Sequence, residues 1–115
     1  MQLTVDVQTS GETIFRPTGR IDLVSSAELK QRLAESVEQG RPRLIVDLGD
    51  VPFIDSSGLG ALISGLKVAR AAGGYLRIAR ANDQARLVLE LTTLHRILPP
   101  YGSVGDAVAA GQAYR

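Results

Sequence analysis

The chain has no cysteine and no tryptophan, a single histidine, and aromatic residues at only 4% of its 115 positions. Without cysteine there can be no disulfide, no thiolate metal site and no cysteine nucleophile. His95 is the sole imidazole, so any serine–histidine relay rests on one residue. It closes a leucine-rich segment, where a histidine ordinarily complements a helix C-terminus. One histidine and scattered carboxylates make no metal site, and none is expected. The phosphate-cradling G-x-x-x-x-G-K-[ST] loop is absent, and Gly58-Leu59-Gly60 and Gly73-Gly74 are too short for a dinucleotide fingerprint. The expectation is a protein without cofactor that is not an enzyme.

Long apolar runs are missing too. No stretch approaches the ~18 consecutive apolar residues of a membrane span. The segment Met1-Gln2-Leu3-Thr4-Val5-Asp6 lacks the basic and apolar regions of a signal peptide. A cytoplasmic protein with no membrane insertion is expected. A net charge of +1 argues against non-specific binding to nucleic acid. The charge is unevenly spread, with six basic and nine acidic side chains in residues 1–55 against seven and three in 56–115. No acidic residue lies between Asp55 and Asp83, an interval holding Lys67, Arg70, Arg77 and Arg80. That basic run is either a docking surface for an acidic partner or ordinary solvated helix and strand faces.

What is present is the composition of one globular domain spanning 1–115, with 44% hydrophobic and 22% charged residues. Leu3, Val5 and Val7 alternate with polar residues, Ser10-Gly11 turns, and Thr13 to Pro17 returns as the second arm of a hairpin, with Pro17 near a strand end or edge. After a loop at Gly19-Arg20-Ile21-Asp22, Ser25-Ser26-Ala27-Glu28 reads as a capping box with Ser25 at the N-cap. Leu29, Leu33 and Val37 follow at helical spacing, up to Gly40. Leu44-Ile45-Val46 reads as a strand buried on both faces. A second helix is expected from about Ser57 to Ala72 on the stripe Leu59, Leu62, Ile63, Leu66. A strand at Tyr75–Ala79, a helix from about Asn82 to Leu94 with Leu87, Leu91 and Leu94 inward, a short strand at Ile97-Leu98 and a helix capped by Ser103 complete the chain. The order β-β-α-β-α-β-α-β-α implies an α/β fold, a mixed and mostly parallel sheet packed with about four amphipathic helices.

The most informative stretch is Ile54-Asp55-Ser56-Ser57-Gly58-Leu59-Gly60, a strand-to-helix junction with two hydroxyls beside a carboxylate. Ser56 is not in a G-x-S-x-G elbow, so a serine hydrolase lacks both its motif and a plausible base. A phosphoaspartate receiver built on Asp47 and Asp55 lacks the clustered carboxylates such a site needs; Lys30 and Lys67, the only lysines, both lie in helix patterns. Two roles remain for the serines, helix cap or phosphate acceptor, and the residues alone do not choose between Ser56 and Ser57. Ser57, Ala61, Ser64, Gly65 and Val68 form a small uncharged stripe on the outer face of the helix. It suits either a docked partner or a neighbouring helix of the same domain.

Asp55-Ser56-Ser57-Gly58-Leu59-Gly60-Ala61-Leu62 resembles the phosphorylation motif of bacterial anti-sigma factor antagonists of the STAS-domain family. Gly19-Arg20-Ile21-Asp22 resembles that family's G-x-[ILV]-D loop, and Arg43 to Asp55 sits where the family has its central strand and approach to the phosphosite. The resemblance covers essentially the whole chain and implies the STAS fold. It also implies partner switching. The unmodified antagonist binds an anti-sigma factor with serine kinase activity and frees a sigma factor; phosphorylation ends the complex, and a metal-dependent serine phosphatase resets it. By the same resemblance Ser56 is the acceptor, with Asp22, Asp55, Ser57, Gly58, Gly60, Ala61 and Ser64 in or beside the partner-binding surface. The family also includes subunits of lipid-transport and stressosome-type complexes, binding modules without a serine phosphoswitch, which stand as the alternative.

Overall fold

The computed structural model describes residues 1–111. Strands β1 (Gln2–Val7), β2 (Thr13–Thr18), β3 (Arg43–Asp47), β4 (Tyr75–Ala79) and β5 (Pro100–Tyr101) form one sheet in the order β1-β2-β3-β4-β5. β1 and β2 are antiparallel, and every later neighbour pair is parallel. Helices α1 (Leu23–Glu38), α2 (Ser56–Ala71) and α3 (Asp83–Leu91) lie between successive parallel strands. Each crossover steps the same way along the sheet, so its right-handed preference delivers all three helices to one face. A 3₁₀ turn at Leu94–Arg96 precedes β5, and α4 (Val104–Ala109) follows it.

The strand pleat divides the interior between two layers. Phe15, Leu44, Val46, Leu76 and Ile78 point to the face covered by α1, α2 and α3, where they join Leu29, Leu33, Leu62, Leu66 and Leu89. Ile14, Ile45, Tyr75 and Ala79 point the other way and are covered by α4 through Ala107. Leu44, Ile45 and Val46 are all fully buried, as their unbroken apolar run requires of a strand with helices on both sides. The fold class, the hairpin, the element order and the Ser103 cap agree with the reading of the sequence. Ser103 accepts the Asp106 N–H at 3.0 Å.

Three local expectations fail. The N-cap of α1 is Asp22 rather than Ser25; Ser25 sits at the third helical position and reciprocates by accepting the Asp22 N–H at 3.0 Å. Glu28 takes no part in this box. α3 turns Ala85 and Leu89 inward and leaves Leu87 and Leu91 exposed at 54% and 76%. Two apolar stripes compete on this helix, and the polar anchors Asn82 and Gln84 at its start decide its rotation. Ile97-Leu98 is not a strand: Thr93 in the left-handed region at φ 58° ends the helical run, and the pairing residues are Pro100 and Tyr101. The small stripe on α2, for which two roles stood open, is divided: Ala61 and Gly65 pack within the domain, Ser57 and Ser64 are half-buried and Val68 is exposed.

Ala61 is buried, and so is Gly65, which lies against α1. A Cβ at Gly65 would stand 2.8 Å from Leu33 Cδ1 and 2.9 Å from Leu76 Cδ1. Glycine here lets two helices and the sheet close together, which outweighs its poor helix propensity. Gly65→Val is therefore expected to lower unfolding stability by about 1–3 kcal/mol through overpacking, read as a lower urea midpoint at unchanged slope. A neutral result would mean that α1 and α2 can move apart freely.

Candidate functional site

Two strand-to-helix junctions meet at the C-terminal edge of the sheet. Ile21 and Ile54 form an isolated parallel bridge. The Ile21 N–H donates to the Phe53 carbonyl at 2.9 Å, and the Asp55 N–H donates to the Ile21 carbonyl at 3.2 Å. Both isoleucines are fully buried. The next residue of each segment is an aspartate that caps a helix. Asp22 accepts from the Val24 and Ser25 N–H groups, each at 3.2 Å, and Asp55 accepts from the Gly58 N–H at 3.1 Å. The bridge thus brings the positive ends of α1 and α2 side by side, each with one carboxylate.

Gly58 makes this approach possible. A Cβ there would lie 2.5 Å from Ile54 Cγ1, 2.8 Å from Ile21 Cγ2 and 3.0 Å from the Ile21 carbonyl. Gly58 is therefore a packing position inside the fold, and Ala61 is buried as well. Gly60 differs: it is exposed, and a Cβ there would meet nothing within 4 Å.

The loop between β3 and α2 is clamped from the opposite side by α3. The side-chain amide of Gln84 donates to the Ile54 carbonyl at 2.8 Å and accepts the Ile54 N–H at 3.0 Å, as a neighbouring strand would. Asn82, which caps α3, also donates to the carbonyls of Val51 and Pro52 at 3.3 and 3.2 Å. The Gly19 N–H donates to the Asp50 carbonyl at 3.1 Å, and the Arg20 guanidinium stacks over the Phe53 ring at 4.2 Å. Neither amide clamp was legible in the sequence. Asn82 showed there only as the start of a helix, and the residue Gln84 holds is 30 positions away.

Against this rigid frame Ser56 is the first helical residue of α2 and is exposed, whereas Ser57 and Ser64 are half-buried. Because Asp55 supplies the cap, neither serine is needed for it. Among the described residues the Ser56 hydroxyl has no hydrogen-bond partner. An exposed, unengaged hydroxyl on a positive helix end can accept a phosphoryl group whose charge the helix would tolerate. The Nδ1 of His95 lies 3.5 Å from the Leu89 carbonyl, near the end of α3.

Beside Ser56 an open groove of about 350 Å³ runs along α2 toward the 3₁₀ turn, lined by Leu59, Gly60, Ile63, Ser64, Lys67, Thr92 and Leu94. Sequence reasoning named only Gly60 and Ser64 of these as site residues. The basic interval is also reduced by folding. Arg77 is buried at 3% exposure and donates to the carbonyls of Ala107 and Gly111 at the end of α4. Arg80 is paired with Asp47 at 3.0 Å. Asp47 in turn accepts from the Gly49 N–H at 2.9 Å and lies 3.6 Å from Arg16 Nε, a structural lock rather than a phosphorylation centre.

Comparison with known proteins gives this geometry its family. A family model described as the STAS domain matches residues 4–107. The anti-sigma-B factor antagonist of Bacillus subtilis is 30% identical over 99 residues, which cover 85% of this chain and 90% of that protein. The chain belongs to the STAS-domain family and, within it, to the anti-sigma factor antagonists. It is similar in structure to an anti-sigma factor antagonist from Mycobacterium paratuberculosis, with a TM-score of 0.84 and 27% identity over 95% of this chain and 92% of the other. Phosphorylated SpoIIAA from Bacillus shares the fold, with a TM-score of 0.73 at 17% identity, covering 94% of this chain and 97% of that one.

Two measurements test the frame. Gln84→Leu leaves a buried N–H and a buried carbonyl unpaired, so a loss of at least about 1 kcal/mol is expected, with faster amide exchange at Ile54; unchanged exchange would remove Gln84 from the clamp. Asp22 has its pKa lowered from the usual carboxylate value, chiefly by the hydrogen bond from the Ser25 N–H and then by the Ser25 hydroxyl, the Val24 N–H and the Arg20 charge, with desolvation opposing. A depressed pKa stabilises the fold above the ordinary carboxylate range, and the contribution is lost as pH falls through the lowered value. Asp22→Asn keeps a cap acceptor but does not titrate. The wild type's stability advantage over it should be full at neutral pH and vanish in acid; a gap that stays constant with pH would contradict this.

Proposed function

We propose that this chain works by partner switching through Ser56. Unphosphorylated, it binds an anti-sigma factor that is also an ATP-dependent serine kinase, and a sigma factor is released. Phosphorylation of Ser56 by that kinase dissolves the complex, and a metal-dependent serine phosphatase restores the free hydroxyl. The chain itself acts as a cytoplasmic protein-binding module, with no catalysis, no cofactor and no nucleic-acid contact of its own. Asp22, Asp55, Ser57, Gly60 and Ser64 share the docking surface with the acceptor. Gly58 and Ala61 contribute by holding the helix in place.

The observation that carries this reading is the division of labour at the start of α2. Asp55 caps the helix and accepts the Gly58 N–H, which leaves Ser56 exposed and chemically idle at the first helical position. A hydroxyl kept for helix capping would be engaged. The greater exposure of Ser56 over Ser57 favours the same acceptor that the family resemblance indicates.

Energetics support the switch. A phosphate adds about −1.5 to −2 charges at pH 7, and the N-terminus of α2 stabilises negative charge. The modification therefore leaves the fold intact. It acts on a docked partner, by bulk, by desolvation and by repulsion from carboxylates packed near Asp22 and Asp55. A thousandfold loss of affinity needs only about 4 kcal/mol, within reach of one dianion trapped in an interface.

The direct test is intact mass after incubation with ATP and, in turn, each serine-kinase-type anti-sigma factor of the same genome. One added phosphate, mapped to Ser56, is expected from one of them. Ser56→Ala should unfold at the wild-type midpoint, resist phosphorylation and bind that kinase constitutively. Ser56→Asp should weaken binding at least tenfold, yet less than phosphate does, because it carries less charge. If no such kinase modifies or binds the chain, the transporter or stressosome-type reading takes its place.

A further inference from the structure

Helix α2 contains three glycines, Gly58, Gly60 and Gly65, and the fold explains only two of them. A side chain at Gly58 or Gly65 would collide with the core at under 3 Å, but at Gly60 it would enter open space. Apart from proline, glycine is the poorest helix former, so Gly60 weakens α2 without any packing return inside this chain. What it does is keep the floor of the groove low, about one helical turn from Ser56.

The groove is a trough rather than a closed cavity. Leu59 and Ile63 of α2 line one side and Leu94 of the 3₁₀ turn lines the other. Eleven residues separate Ser56 from Lys67, about 16 Å of helix at about 1.5 Å per residue, so the trough is about three helical turns long. Its one charged lining residue is Lys67, exposed and without an ion pair among the described residues. No acidic residue lies on α2 or elsewhere between Asp55 and Asp83. An apolar trough of this length, with one unmatched cation at its far end, is complementary to an amphipathic helix that carries an acidic side chain.

We infer that the groove between α2 and the 3₁₀ turn receives an amphipathic helix of the anti-sigma factor, with its apolar ridge over Gly60 and an Asp or Glu against Lys67. This rests on the partner-switching reading and adds the chemistry of the partner to it. The trough begins at Ser56, so phosphorylation places a dianion at one mouth while the attraction at Lys67 persists at the other. An acidic helix is then repelled at its near end, and the helix that fills the trough is also the one that senses the phosphate.

The test is titration of wild type, Gly60→Leu and Lys67→Glu against the anti-sigma factor that phosphorylates Ser56. The Cβ of Gly60→Leu meets nothing within 4 Å and its side chain enters the open trough, so it should keep or raise the melting temperature while weakening binding at least tenfold. Lys67→Glu should weaken binding to a similar extent and reduce its dependence on salt. Methyl resonances of Ile63 and Leu94 should shift on titration. If wild type binds while both variants stay within twofold of it and those methyls stay still, the helix docks elsewhere and the inference fails alone. If wild type binds none of the genome's anti-sigma factors, the partner-switching reading fails and takes the inference with it. If Gly60→Leu instead abolishes self-association seen by sedimentation and leaves anti-sigma binding unchanged, the groove belongs to a second copy and the inference is overturned.

Discussion

The parallel bridge between Ile21 and Ile54 is the contact on which the functional end of this protein depends. It consists of two backbone hydrogen bonds between segments that are otherwise loop. Through it the chain entering α1 and the chain entering α2 run side by side, each leaving the bridge directly into a capping aspartate. Every further feature of the site follows from that registration. Gly58 must lack a side chain because the bridge isoleucines fill its space, and Gln84 can dock because the outward-facing amide groups of Ile54 are left for it.

A phosphorylation switch needs a hydroxyl that is held still but not used. Hydroxyls at helix starts are usually consumed by capping. Here an aspartate takes that duty one residue earlier, and the serine stands on the rigid first turn with its oxygen free. Clamping of the preceding loop by Asn82, Gln84 and Gly19 pre-orders the first turn of α2, and under the proposed switch this would reduce the entropy lost on docking. On the proposed reading, the positive helix end would make a phosphate at Ser56 tolerable to the fold.

Elements whose evidence is local were legible in the sequence. The hairpin, the doubly buried strand Leu44-Ile45-Val46 and the Ser103 cap each follow from a few adjacent residues, and all are present as expected. The failures share a cause, which is that several local patterns were equally good. Asp22-x-x-Ser25 and Ser25-x-x-Glu28 both satisfy capping-box chemistry, and α3 carries two apolar stripes. For the small residues of α2, only the position of α1 reveals which ones face inward. The free serine was visible, but the reason it is free was not.

The sequence by itself determined that cysteine and the phosphate-loop motif are absent, that strands and helices alternate, and that a carboxylate and two hydroxyls share a helix start. These are properties of composition and short-range spacing, set by the 2.0 and 3.6 residue periods of the backbone. Tertiary structure alone decided that Gly58, Ala61 and Gly65 serve packing while Gly60 faces open space. It also decided that Arg77 and Arg80 are spent on α4 and Asp47, and that Lys67, without an ion pair among the described residues, lies beside an apolar trough. Those outcomes depend on contacts between residues tens of positions apart, and a side chain's role is fixed by what packs against it.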